Sequence, residues 1–241
     1  VTLNHPERRN SLDDDDLQCL MDHVQTIHQD TTIRVAVLQA QTTPGHRPVF
    51  CAGYRLQGLA EGASAPRRFE QAVNAWAGLR VPSVAVLAGS VHGGATDLAL
   101  ACDLRLALPH SAWHMPACRM GLLFYPDGLR RYVSHLGPDL SKRAFLAGQP
   151  LSAAELASRG VVELAQNEAE LNERLQQTVA DLLAMAPLAI EATKRHLNAL
   201  SHGSWHAQAY GEDEQMIHRS RDLAEGRAAL SEGRRPHFER Q

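Results

Sequence analysis

Apolar residues recur along this chain in two rhythms, short unbroken runs and stripes at helical spacing. Leu17, Leu20, Met21, Val24 and Ile27 follow the i, i+3, i+4 spacing of one helix face, and Phe69, Val73, Trp76 and Leu79 repeat it. Between them stand short apolar runs that read as buried strands: Ile33–Leu38, Val49–Ala52, Val84–Leu87 and Leu104–Leu108. Val1–Asn4 reads as the end of a strand closed by Pro6, and Val161–Leu164 as the last strand.

Strands that alternate with helices point to an α/β fold. Ser11 is the expected N-cap of the first helix, and Asp13–Asp16 place negative charge in its first turn, where the helix dipole favours it. Residues 57–68 read as a polar loop that ends in Arg67 and Arg68, and Pro109–Asp127 as a long irregular stretch. Helices are predicted from Gly128 and from Ser141, and a capping box at Ser152–Glu155 opens another, which Gly160 ends. From Asn167 the pattern is helical throughout, with Leu171, Leu175, Val179, Leu182 and Leu183, then Pro187, Ile190, Lys194 and Leu197. This change divides the chain into a mixed part, 1–166, and a helical part, 167–241.

The densest punctuation lies at Val86–Asp103. The run Val84–Leu87 breaks at Gly89, and Gly93-Gly94 opens a segment with Leu98, Ala99, Ala101 and Cys102 at helical spacing, so the stretch reads as strand, glycine turn, helix. The first N–H groups of a helix have no partner inside it, and glycine lets a ligand approach the backbone. Such a turn can present N–H donors to an oxygen that gains charge, with Asp97 in the first helical turn nearby. Gly53 ends another strand in the same manner, so two turns can each supply one donor to a single oxygen. That arrangement suits chemistry on a carbonyl or thioester; the plainer reading is a tight connection with Asp97 favouring the helix dipole.

Composition narrows the partners. With 44% hydrophobic residues the 241-residue chain can bury a large core, and a formal net charge of −3 with interleaved signs leaves no footprint for nucleic acid or an anionic membrane. No apolar run reaches the ~18 residues that span a bilayer, and the N-terminus lacks signal-peptide features, so a cytoplasmic protein is expected. Cys19, Cys51, Cys102 and Cys118 have no paired spacing and read as buried thiols. His202/His206 and His110/His114 have i, i+4 spacing but no third ligand nearby, so no metal is expected.

Five ordered segments carry a likeness to a known family: Thr2–Leu12, Phe50–Leu56, Gly89–Asp103, Phe145–Ala153 and Pro187–Lys194. Over nearly its whole length the chain resembles the enoyl-CoA hydratase/isomerase (crotonase) superfamily. The resemblance implies a spiral of repeated ββα units, a C-terminal helical trimerisation region, and homotrimers or homohexamers. It implies an acyl-CoA thioester as substrate, coenzyme A entering as part of that substrate with no separate cofactor, and an oxyanion hole made by the N–H groups of Tyr54 and Gly94. Substrate-binding candidates are Ala52, Arg55, Leu56, Gly93, Ala117 and Gly121. Arg55, Arg67, Arg68 and Lys194 are candidates for the coenzyme A phosphates.

The acid/base positions depart from the family. Hydratases of this family use two glutamates; the first position is Asp97 here and the second is Ala117, while the aspartate of other members falls on Tyr125, two residues before Asp127. The catalytic candidates are therefore Asp97, Tyr125 and Asp127, with Asp97 leading and His114 and Arg119 behind them. Simple hydration loses half its apparatus. An oxyanion-hole-stabilised enolate reaction is expected, open among isomerisation, hydration, decarboxylation and hydrolysis, with one that needs a single group preferred. The alternatives are an acyl-CoA-binding member without catalysis and a purely structural subunit.

Overall fold

The short apolar runs become strands of two parallel sheets, and the chain visits the sheets in turn. The computed structural model describes residues 1–42, 47–55 and 65–241, with the backbone alone at 65 and 66. A long sheet is built from β1 (Thr2–Leu3), β2 (Ala36–Ala40), β4 (Ser83–Leu87), β6 (Leu104–Ala107) and β8 (Glu163–Leu164), in that order. A short sheet joins β3 (Val49–Cys51), β5 (Ser90–His92) and β7 (Trp113–His114). All pairings between these strands are parallel.

Helices follow each visit: α1 (Asp14–Gln29), α2 (Ala65–Ala77), α3 (Gly94–Leu100) and α4 (Pro126–Leu146). β2-β3-α2, β4-β5-α3 and β6-β7-α4 are three copies of one ββα step, each moved one strand along both sheets. The first turn has the same form, since Leu12 bridges Tyr54 in parallel beside the short sheet before α1 begins. The fold is the α/β spiral of ββα units that the resemblance implies.

Local chemistry explains the elements and corrects some boundaries. Asp13, not Ser11, caps α1: its side chain accepts from Asp16 N while the Asp16 carboxylate accepts from Asp13 N. Leu17, Leu20, Val24 and Ile27 are buried, whereas Met21 is 37% exposed and leaves the stripe. The residues read as one glycine turn after Leu87 contain strand β5, too short to register as an apolar run. α4 begins at Pro126 and breaks at Gly137 (φ 73°), just before Pro138, which lacks the N–H a continuous helix would need. At α5 (Ala153–Ser158) Ser152 caps by accepting from Glu155 N, but the Glu155 carboxylate binds Arg143, so only half of the capping box forms. Cys51 and Cys102 are buried thiols, while Cys19 and Cys118 are exposed.

The helical part, α6 (Glu168–Leu183), α7 (Pro187–His202), α8 (Ala207–His218) and α9 (Arg221–Glu232), is stitched to the rest. Leu171 of α6 shares a core with Val84, Val86, Leu106 and Leu108. On α7, Lys194 is buried, its ammonium 2.7 Å from Asp103 and donating to Val81 O, and Glu191 pairs with Arg80 at 2.6 Å. Lys194 is therefore a structural tie and not a free cation for a phosphate. Among the described residues no helix is long and apolar enough to cross a membrane.

One buried charge holds the end of α3. Arg105 on β6 is 7% exposed, and its guanidinium donates to Val161 O (2.7 Å) and Cys102 O (2.5 Å), with longer bonds to the carbonyls of Ala99, Leu100 and Asp103. Apart from Val161 O, these are the carbonyls at the C-terminal end of α3, where the macrodipole is negative. Arg105→Met should cost about 3 kcal/mol by stranding buried acceptors and lower Tm by about 6–12 °C, measurable by calorimetry.

Candidate active site

Two glycine turns meet at the C-terminal ends of β3 and β5. Gly53 follows β3 with φ +92°, and a Cβ there would lie 2.7 Å from the carbonyl oxygen of His92 and 3.6 Å from the amide nitrogen of Gly94. Only glycine lets the turns approach so closely. Gly93 is the N-cap of α3 with φ +54° and ψ −129°, a conformation that also selects glycine. Gly94 is glycine for a different reason: a Cβ would press on the Phe69 ring at 2.6 Å.

Both amides of interest are left over by the backbone. The Leu12–Tyr54 bridge uses Leu12 N→Gly53 O and Arg55 N→Leu12 O, which turns the Tyr54 N–H to the other side. The Gly94 N–H is the first of α3, where no intrahelical acceptor exists. Below the turns lies a cavity of about 220 Å³, lined by Ala52, Gly53, Tyr54, Phe69, His92, Gly93, Gly94 and, from the long stretch, Met115, Pro116, Ala117, Met120 and Leu122–Tyr125. Among the described residues its lining is largely apolar and holds no carboxylate.

The structure sorts the expected residues. Tyr54, Gly94, Ala52, Gly93, Ala117 and Tyr125 converge on the cavity. Gly121 does not line it; with φ 71° it closes the short 3₁₀ turn Ala117–Met120 that brings Ala117 there. Arg55 is exposed and lies 3.8 Å from Asp13, and Leu56 lies outside the described residues. Asp127 is outside the lining too, accepting from Asn74 Nδ2 at 2.6 Å and pairing with Arg130 at 2.9 Å. Arg119 lies against Gly148, and His114 faces a neighbouring cavity. Arg67 is exposed, and exposed Arg68 pairs with Asp14 at 2.9 Å.

Asp97 occupies a different place from the one expected of a proton carrier at the substrate. It is fully buried behind the cavity wall, gripped by Arg131 through Nε→Oδ1 (2.8 Å) and Nη2→Oδ2 (2.6 Å), and it accepts the Tyr125 hydroxyl proton. Arg131 reaches on to Asn74 Oδ1 at 2.8 Å, and Asn74 to Asp127. Asp97 therefore stands behind Tyr125, and Tyr125 is the member of the chain that lines the cavity. Burial first, then the Asp97 charge, push the phenol far above its ordinary range. Burial opposes the charge on Arg131, but Asp97 outweighs it and raises the guanidinium.

Arg131 and Asn74 escape a reading of motifs, yet Arg131 leaves a signal. It sits on the face of α4 that carries Gly128, Tyr132 and Leu136, a core stripe on which a charge demands a buried partner. His92 was also passed over. Burial, then His114 and Arg9, lower its imidazole to about 4, and its Nε2 is 2.9 Å from Ser90 Oγ.

The whole chain, residues 1–241, matches the sequence profile described as Enoyl-CoA hydratase/isomerase. The chain belongs to that family. It is 28% identical to a probable mitochondrial enoyl-CoA hydratase 2 of Arabidopsis thaliana, over 98% of this chain and 79% of the relative. It is 30% identical to the probable enoyl-CoA hydratase echA6 of Mycobacterium tuberculosis, over 99% and 94% of the two chains. Among solved structures, an enoyl-CoA hydratase from Bacillus anthracis superposes with a TM-score of 0.88 at 23% identity, covering 100% of this chain and 94% of that one, which is a likeness of fold.

The Gly53→Ala variant should lose about 10²–10³-fold in kcat, the scale of a displaced oxyanion donor, because the methyl group drives the turns apart. Steady-state kinetics on a soluble, folded variant checks this. A second outcome concerns pH. The unfolded His92 titrates at 6.5 and the folded one at about 4, so between these values the unfolded chain binds a proton that the folded chain does not. Stability falls as pH drops through that window, and His92→Gln should flatten the fall in urea titrations.

Proposed function

We propose that this protein is an enzyme acting on an acyl-CoA thioester, that the Tyr54 and Gly94 amides hold the thioester oxygen as it becomes an enolate, and that Tyr125 supplies the proton. The observation that carries the reading is the lining of the cavity: the Tyr54 and Gly94 amides and the Tyr125 phenol, the Tyr54 hydroxyl being donated to Asp14, with no carboxylate among the described residues. Two convergent donors stabilise charge that develops on one oxygen. A phenol held neutral beside Asp97 is a poor base, but once its hydroxyl turns from Asp97 toward the cavity it can protonate a thioester enolate, whose carbon is the stronger base. Asp97 and Arg131 are positioning residues: they fix the hydroxyl through one buried ion pair.

Chemistry that needs a donor and no carboxylate base fits this set best. Loss of CO2 from a malonyl-type thioester is the simplest case. The bond between Cα and the carboxylate breaks, its electron pair enters the enolate, and Cα then takes the Tyr125 proton, which water restores. Met115, Ala117, Leu122 and Phe124 give the leaving carboxylate an apolar, water-poor neighbourhood. A second reading, hydration of an enoyl-CoA, draws support from the names of the relatives at 28–30% identity. Ala117 in the second glutamate position weighs against it.

Assembly into a homotrimer or homohexamer belongs to the same proposal, supported by exposed Leu197, Leu200, Trp205, Tyr210 and Met216 on and between α7 and α8. A panel of malonyl-type, crotonyl-, 3-enoyl- and aromatic CoA thioesters tests the reaction. Release of CO2 from the malonyl-type substrate is expected, with kcat lowered about 10²–10⁴-fold and KM little changed in Tyr125→Phe. Crotonyl-CoA hydration that survives Tyr125→Phe overturns the proton-donor assignment. Acyl-CoA binding without turnover of any thioester transfers the protein to the non-catalytic, ligand-binding alternative.

A further inference from the structure

The short sheet turns Val91 and Trp113 into the core and Ser90, His92, Ala112 and His114 to its other face. That face forms one wall of a second cavity, about 750 Å³, whose other walls include Arg9, Arg47, Val49 and Glu7. Its volume is that of a small-molecule site. The His92 and His114 rings stack at 4.6 Å with 6° between their planes. Arg9 bears on His92, and Arg47 on His114, closely enough to add to burial in lowering both imidazoles. The rings are therefore uncharged near neutral pH, and the positive charge rests on the two guanidinium groups.

Both arginines are exposed. Among the described residues, no hydrogen bond or ion pair engages the side chain of Arg9 or Arg47, although most other arginines of the chain are paired. Arg9 even stands in the left-handed region (φ 56°). Glu7 is the one carboxylate at this cavity, and it lies 3.3 Å from His5 and is itself mostly exposed. Two exposed guanidinium groups therefore border a cavity that also presents uncharged imidazoles and the Ser90 hydroxyl.

We propose that this cavity is a binding site for a phosphate dianion, gripped by Arg9 and Arg47, with the Ser90 hydroxyl and the imidazole N–H groups as further donors. The guanidinium fork matches phosphate oxygens in a way a single ammonium does not. A free diphosphate and the diphosphate of a CoA ester share this chemistry. The site stands independently of the thioester reading.

Calorimetry with inorganic pyrophosphate and with acetyl-CoA, on wild type and the Arg9→Gln/Arg47→Gln variant, is the test. Wild type should bind at least one of them, and the variant should bind it about 100-fold more weakly, about tenfold for each charge-assisted contact removed. The ligand-free Tm of the variant should be unchanged, since neither side chain makes a hydrogen bond or ion pair among the described residues. Competition between pyrophosphate and acetyl-CoA would assign the site to the ester's own diphosphate; simultaneous binding would assign it to a separate phosphate ligand, and either supports the site. Absence of binding by both ligands to wild type, or equal affinity in the variant, overturns it. An acyl-pantetheine, which carries no diphosphate, reads the chemistry of the first cavity alone, so failure of the phosphate site and failure of the thioester reading are separable.

Discussion

The close approach of Gly53 to the His92 carbonyl is the contact on which the site rests. It joins the end of β3 to the turn before α3, and no side chain fits between them. Each turn alone is an ordinary strand ending. Held together, they leave the Tyr54 and Gly94 amides with no backbone acceptor and place both over one apolar cavity. The ββα repeat makes the meeting unavoidable, because each step advances both sheets by one parallel strand and so sets consecutive turns side by side. Arg105, on the carbonyls beyond α3, secures the other end of the helix that supplies one of the amides.

The Asp97 and Arg131 charges of this core are paired with one another behind the cavity wall. A buried carboxylate and guanidinium are costly to desolvate, and removing one partner strands the other at a cost of about 3–5 kcal/mol. Asp97 and Arg131 meet that cost with two mutual hydrogen bonds, and Asn74 and the Tyr125 hydroxyl use the remaining polar capacity. What faces the cavity is then a neutral phenol in a fixed orientation. A carboxylate one methylene longer than Asp97, or a second one in place of Ala117, would alter the cavity's chemistry without altering the fold, which is how one spiral can host different reactions.

The two cavities differ in how they handle charge. The first is apolar, with its charged pair hidden behind the wall; the second exposes two guanidinium groups that no carboxylate pairs with among the described residues. His92 touches both, its backbone in the glycine turn and its ring stacked on His114.

The sequence by itself determined the α/β alternation, the helix stripes and the two glycine turns, because each is written in neighbouring residues through periodicity and backbone freedom. It also carried the family likeness, and with it the pairing of Tyr54 and Gly94. It misplaced what depends on contacts distant along the chain. Ser11 looked like a cap until Asp13 and Asp16 completed each other; β5 is too short to show a period; Lys194, a candidate for the coenzyme A phosphates, is buried against Asp103. Only the tertiary structure decided the roles of the acid/base candidates. Burial, and a partner 34 residues away, place Asp97 behind Tyr125 and Asp127 outside the cavity lining, because the reach of a side chain follows from what surrounds it in space.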